Sequence, residues 1–319
     1  MNAAGAGAGA GAVEAEYGPG FAPLAVAGPD GPWDELGDRL DDEGRAVVCT
    51  TWGQWLTAAL LDPALRPLLG HDWPRYRQGP TAAGRMRFAV SRLVMKYTAA
   101  SALNVPVDTL DLGYRPGGRP VLRGLGGELE VSLAHTDELI VVGVSRTGPI
   151  GVDAEPAARD ISFELLREHV CTPAEDAELA LLPEEERRAR MLRLWTLKEA
   201  YTKALGHGMR RSFAGFGFAI EPMGPGVPGA GGRAARAVLV DVSGGAGGAG
   251  GTGDGDPQER WTFATHLVQG RYLVSEAHRR ERAGAVPVAA PADSGSRHAA
   301  GPLEERVPEP TGLLRFLDR

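Results

Sequence analysis

The sequence predicts an α+β fold made of two similar halves, and three observations carry that prediction. First, a helical pattern followed by strand-like runs occurs twice in the same order. Second, turn residues punctuate the strand-like runs: Pro116-Gly117-Gly118, Gly126-Gly127 and Thr147-Gly148-Pro149. Third, many of the 45 glycines and 24 prolines crowd into three stretches, while the hydrophobic fraction of 43% leaves enough apolar sequence elsewhere for a core.

In the first half, Phe88, Leu93, Val94, Tyr97 and Leu103 recur at helical spacing within 82–103. Strand-like runs follow at 110–114, 129–133, 139–145 and 150–154. The second half opens with helical patterns at 163–169, 173–182 and 184–205. Its strands are expected at 216–221, 237–242, 260–267 and 272–277. The two halves share no obvious sequence repeat, so the likeness is an expectation about structure alone.

The remaining stretches read as unstructured. Residues 1–40 open on an Ala-Gly tract and continue rich in Pro and Gly, a composition that buries too little apolar surface to offset chain entropy. Residues 222–257 form a Gly/Ala-rich loop inside the second half, and 282–319 are a mostly disordered tail with a short helix at 313–317. The expected layout is therefore a tail (1–40), an N-terminal α+β half (41–150), a C-terminal α+β half (151–281) and a second tail (282–319).

A net charge of −7 argues against a general nucleic-acid binder. Two cysteines, Cys49 and Cys171, give neither a disulfide framework nor metal spacing, which fits a reduced, cytoplasmic setting. The start of the chain lacks the charged and apolar regions of a signal peptide, and no run of about 18 apolar residues marks a membrane span. Only three lysines occur, Lys96, Lys198 and Lys203, in a chain of abundant arginine; lysines that persist against such a bias invite a reason.

Four groups of residues have chemistry to offer. In Gly151-Val152-Asp153-Ala154-Glu155, strand alternation puts Asp153 and Glu155 on one face. Neighbouring carboxylates repel unless a cation lies between them, and Mg²⁺ takes such hard oxygen ligands; the ordinary alternative is a solvated strand face. In Trp195-Thr196-Leu197-Lys198-Glu199-Ala200-Tyr201-Thr202-Lys203, Met191, Leu194, Tyr201 and Leu205 form an apolar helical stripe. Glu199 and Lys203 stand at i and i+4, which alone reads as a surface pair. His135 ends a strand, and Arg115 to Pro120 is a basic turn whose glycines let backbone approach a ligand closely while its guanidinium forks suit phosphate. Thr172-Pro173-Ala174-Glu175 is first a capping box, and any catalytic role of Glu175 must be added to that.

Taken in order, a GVDxE strand followed some forty residues on by WxxKEAxxKxxGxG resembles the Sfp-type 4′-phosphopantetheinyl transferases, over roughly residues 65–280. The resemblance implies a monomer with pseudo-twofold α+β halves and a site in the cleft between them. It implies transfer of the phosphopantetheine arm of coenzyme A to a serine of an apo acyl or peptidyl carrier protein. Asp153, Glu155 and Glu199 are then Mg²⁺ ligands, Glu199 also the group that deprotonates the serine, and Lys203 the cation beside the transferred phosphate. His135 and Arg119 are expected at the 3′-phosphate, with Arg92 and Arg115 as further coenzyme A contacts and Glu175 and Lys198 as additional candidates. Where that family usually has Ser before the histidine this chain has Ala134, which leaves Ser132 or Thr136 to supply the hydroxyl. Arg85, Arg87, Arg92 and Lys96 on one helix are candidates for a basic surface facing an acidic carrier. The rival readings are another Mg²⁺-dependent phosphate transfer on a nucleotide, and a coenzyme A-binding or carrier-binding module without catalysis.

Overall fold

The computed structural model describes residues 22–115, 117–124, 128–206, 212–222, 235–241 and 261–280. The expected loop at 223–234 and 242–257, the tail from 282 and residues 1–21 lie outside the described residues. The chain mixes helices and strands in an α+β arrangement. In chain order the elements are β1 (Leu24–Ala25), α1 (Trp33–Glu43), β2 (Arg45–Thr51), α2 (Trp52–Leu61), α3 (Leu65–Leu69), α4 (Trp73–Gln78), α5 (Ala82–Leu103), β3 (Leu112–Tyr114), β4 (Pro120–Leu122), β5 (Glu130–Thr136), β6 (Leu139–Ser145) and β7 (Ile150–Pro156). They continue as α6 (Phe163–Val170), α7 (Pro173–Ala180), α8 (Glu184–Leu205), β8 (Phe216–Pro222), β9 (Ala235–Asp241), β10 (Trp261–Val268) and β11 (Tyr272–Arg279).

Local chemistry explains the boundaries. Thr81 caps α5 by accepting from the Gly84 amide, and Asn104 ends that helix in the left-handed region at φ 53°. Thr172 and Glu175 form the reciprocal capping box of α7, with Pro173 in the first turn. Gly206, at φ 70°, stops α8.

Two sheets organise the core. One is ordered β1-β2-β6-β5 and the other β7-β11-β10-β9-β8, with β3 and β4 as a separate hairpin. The first sheet packs against α1, α2 and α5 through residues such as Val48, Trp55, Leu93, Val94 and Val142. The second packs against α6 and α8 through Leu166, Leu194, Leu197, Tyr201 and Phe263. The outer faces of the two sheets meet across a third apolar layer that includes Val47, Val141, Ile150, Val152 and Val274. There the amide of Val152 donates to the Ser132 hydroxyl at 3.1 Å. Like elements recur: Lys96 lies fourteen positions into α5 and Lys198 fourteen into α8 (82 to 96, 184 to 198). Each donates to a carbonyl 28 residues upstream, Leu68 at 2.7 Å and Val170 at 2.6 Å.

The expected disorder over 1–40 is corrected for its last part. Residues 22–40 contribute β1 and most of α1, and Leu24, Val26, Leu36 and Leu40 are buried in the first core. Leu36 and Leu40 stand one helical turn apart and Gly44 closes the helix at φ 72°, so a short amphipathic segment folds within a glycine-rich neighbourhood. The basic face expected on α5 is corrected as well. Arg92 and Lys96 are buried, and Lys96 spends its ammonium on the Leu68 carbonyl.

Candidate functional site

β7 and α8 position the central cluster. On β7 the side chains of Asp153 and Glu155 face α8, while Val152 and Ala154 face the layer between the sheets. Gly151 lets the helix come in: a Cβ there would stand 2.0 Å from the Ala200 carbonyl oxygen and 2.5 Å from the Ala204 amide nitrogen. α8 therefore rests backbone against backbone on the strand, two residues from Asp153. Lys203, one turn beyond Glu199, reaches across to Asp153, with Nζ 2.7 Å from Oδ1. Glu155 is held by Arg159 at 2.5 Å.

The electrostatics are those of crowded anions around one cation. Burial pushes Asp153 above the usual carboxylate range, with Lys203 opposing. Burial and then the Asp153 charge raise Glu155, and Arg159 works against them. Glu199 is pushed up to about 7 by burial and by Asp153, while Lys203 pulls it back. Burial would lower Lys203, but Asp153 and Glu199 outweigh it and hold the ammonium above its ordinary value. Asp153 Oδ2 is buried and has no hydrogen-bond partner among the described residues. Such an orphaned carboxylate oxygen, beside a carboxyl titrating near neutrality, can accept a cation or a proton. Among the described residues, no three His, Cys, Asp or Glu side chains are gathered as a ready-made metal cluster.

The remaining sequence candidates are placed differently. Arg119 links β5 to the end of α8: Nη1 donates to the Ala204 carbonyl and Nη2 to Glu130, each at 2.6 Å, and burial lowers its pKa. Arg115 is more exposed and lies 3.8 Å from Glu130. Both belong to the β3–β4 turn, where Gly117 and Gly118 hold φ of 97° and 86°, backbone that glycine alone adopts without strain. His135 is exposed near the end of β5. Ser132 is buried on the opposite face of that strand, as their odd separation requires, and its oxygen takes the Val152 amide. Arg92 is buried with Nε 3.2 Å from Asp72 Oδ2 and its guanidinium over Phe88 at 4.3 Å. Asp72, which the sequence reading passed over, also accepts from the Tyr114 hydroxyl and so neutralises Arg92 in place.

Glu175 and Lys198 form a buried ion pair. Lys198 is 0% exposed and its three protons go to the Val170 carbonyl, Glu175 Oε2 and the Phe213 carbonyl at 2.6, 2.6 and 3.0 Å. Glu175 additionally takes the Thr172 and Phe218 amides, each at 2.8 Å. All three Lys198 protons and three of the roughly four acceptor positions of Glu175 are thus used in holding the core. A tetrahedral ammonium meets three converging acceptors that a planar guanidinium could not, which gives a reason for lysine in an arginine-rich chain.

Residues 149–229, which include β7 and α8, match the sequence profile of the 4′-phosphopantetheinyl transferase superfamily. The chain is 31% identical over 129 residues to the 4′-phosphopantetheinyl transferase HetI of Nostoc sp., covering 40% of this chain and 54% of that protein. It is 26% identical over 123 residues to the 4′-phosphopantetheinyl transferase gsp of Aneurinibacillus migulanus (39% and 49%). It is 31% identical over 156 residues to the L-aminoadipate-semialdehyde dehydrogenase-phosphopantetheinyl transferase of Eremothecium gossypii (47% and 55%). The chain thus spans about half the length of the curated relatives it matches. The likeness of this chain to the 4′-phosphopantetheinyl transferase superfamily is carried by residues 149–229.

Proposed function

We propose that this protein transfers the 4′-phosphopantetheine group of coenzyme A to a serine of an apo acyl or peptidyl carrier protein, releasing 3′,5′-ADP. The observation that carries the reading is the Lys203–Asp153 ion pair where α8 rests on β7, with Glu155 and Glu199 within reach of its charges, inside the matched segment. Glu199, titrating near neutrality, can accept the serine proton as that oxygen attacks the phosphorus. The Lys203 ammonium stands beside Asp153, placed to offset charge on the phosphate being transferred. Arg119, Arg115 and His135 serve coenzyme A in this reading, with Arg119 holding the end of α8 toward the first half.

Mg²⁺ fits the residues present. The donors are hard oxygens, Asp153 Oδ2 is open, and the repulsion that raises Glu155 and Glu199 is of the kind a divalent cation relieves. Asp153, Glu155 and Glu199 would hold it, and the bound ion would supply Lewis-acid stabilisation of negative charge on the pyrophosphate.

The reading includes a pseudo-twofold pair of halves, 41–150 extended back to residue 22 and 151–281. It is supported by the equivalent lysines of α5 and α8 and by the matching strand orders β2-β6-β5 and β7-β11-β10. It also includes a monomer acting in the cytoplasm on carriers rather than nucleic acid or membrane. None of the described helices is long and apolar enough to cross a membrane, and the net charge is −7. The test is chromatographic: with coenzyme A and Mg²⁺, 3′,5′-ADP should form only when an apo carrier is present. Release that is indifferent to the carrier would point instead to a phosphate transfer confined to the nucleotide.

A further inference from the structure

Beneath α8 runs a row of buried hydroxyls that the transfer reading leaves unused. Ser275 of β11 lies directly opposite Asp153 of β7 on one side and Thr265 of β10 on the other. Directly opposed residues share a face of the sheet, so all three side chains point toward α8. Thr196 of α8 meets the middle one, its Oγ1 2.7 Å from Ser275 Oγ. Thr196, Ser275 and Thr265 are each 0% exposed. The atoms flanking Ser275, Asp153 Oδ2 and Thr265 Oγ1, have no hydrogen-bond partner among the described residues.

Proton counting shows what the pair can do. Thr196 Oγ1 is also 3.1 Å from the Arg193 carbonyl. If Thr196 donates to that carbonyl, Ser275 donates to Thr196. If Thr196 donates to Ser275, the serine proton turns outward to the neighbours on its strand row, of which Asp153 is one. Leverage comes from position: Thr196 sits one turn before Glu199 and two before Lys203 on the same side of α8. A contact at Thr196 therefore sets where those two groups stand over Asp153; removing the Thr196 hydroxyl takes from Ser275 its partner on α8, and removing the Ser275 hydroxyl leaves Thr196 bonded only within its own helix, to the Arg193 carbonyl.

We propose that Ser275 and Thr196 are positioning residues for the carboxylate site: their hydrogen bond fixes α8 over β11 and so sets where Glu199 and Lys203 stand relative to Asp153. This rests on the transfer reading, and the experiment separates the two. Ser275→Ala, Thr196→Val and Thr196→Ser are compared with wild type in carrier modification and, independently, in Mn²⁺ binding by electron paramagnetic resonance. Ser275→Ala and Thr196→Val should each lower kcat and weaken Mn²⁺ binding about tenfold, the lower end for residues that orient metal ligands. The KM for coenzyme A should stay within twofold, and Thr196→Ser should keep both wild-type values. Ser275→Cys, which keeps the volume and weakens the hydrogen bond, stands in if the alanine variant does not fold. Wild-type kcat and Mn²⁺ affinity in the Ser275 and Thr196→Val variants, whatever their melting temperature, would overturn the proposal. A wild type that binds Mn²⁺ but modifies no carrier overturns the transfer reading alone, and the Mn²⁺ comparison then decides this one. A wild type that binds no Mn²⁺ overturns the positioning role.

Discussion

Glu199→Gln removes one negative charge from a site that also holds Asp153 and Glu155, while keeping the side chain's shape. The wild-type carboxyl is pushed from an ordinary 4.5 to about 7, first by burial and then by Asp153. Between those values the folded state holds a proton that the unfolded chain has released. Stability therefore falls as pH rises through that window, and the full penalty is present above it. At 1.36 kcal/mol per unit the shift corresponds to about 3 kcal/mol, an upper bound on what glutamine recovers. Urea unfolding in EDTA at pH 5, 6, 7 and 8 measures it. The variant should exceed wild type by about 1 kcal/mol or less near pH 5 and by progressively more above it, about 2–3 kcal/mol at pH 8. Added Mg²⁺ should then narrow the gap by stabilising wild type alone. A variant no more stable than wild type at pH 8, or a difference that does not change with pH, would refute the reasoning.

Three further outcomes follow from other parts of the molecule. Gly151→Ala drives a methyl group into the backbone of α8, so transfer should fall about a hundredfold and stability by roughly 1–3 kcal/mol, read by kinetics and denaturant unfolding. Lys198→Met strands Glu175 in the core and should cost about 3–5 kcal/mol, part of which Lys198→Met combined with Glu175→Gln restores; an unchanged urea midpoint would contradict the buried pair. His278 is held down to about 3 by burial and by Arg45 and Arg280, so the unfolded chain binds its proton first as pH falls below 6.5. Stability should drop by about 1.4 kcal/mol per pH unit from that group, and His278→Asn should flatten the slope of unfolding free energy against pH between 6 and 4.

Much of this architecture is legible in the sequence because local signals agree with the fold. The limits of α5 and α8 follow from Thr81, Gly206 and the helical spacing between, and the strand alternation that pairs Asp153 with Glu155 survives because both neighbours, Val152 and Ala154, are buried on the other side. The early elements were hidden by their surroundings. α1 is short and flanked by glycine and proline, although Leu36, Leu40 and Gly44 carry its signal; β2 and the capping box at Thr51 and Gln54 were likewise readable in principle. Side-chain destinations were harder. Arg92 and Lys96 look like surface cations in any one-dimensional reading, and only the fold brings Asp72 and the Leu68 carbonyl to them. The same holds for Ser275, which no spacing links to Asp153 across more than a hundred residues; the register of β7 on β11 does.

The retained lysines have separate explanations, two as buried donors and one, Lys203, at the carboxylates. It is the meeting of Lys203 with Asp153 and Glu199 that the proposed transfer depends on. The most direct test is the intact mass of apo carrier domains after incubation with this protein, coenzyme A and Mg²⁺. The account predicts a gain of one phosphopantetheine on the carrier serine, lost in Asp153→Ala and Glu199→Gln although both variants remain folded. Carriers of unchanged mass across several acyl and peptidyl types would contradict it.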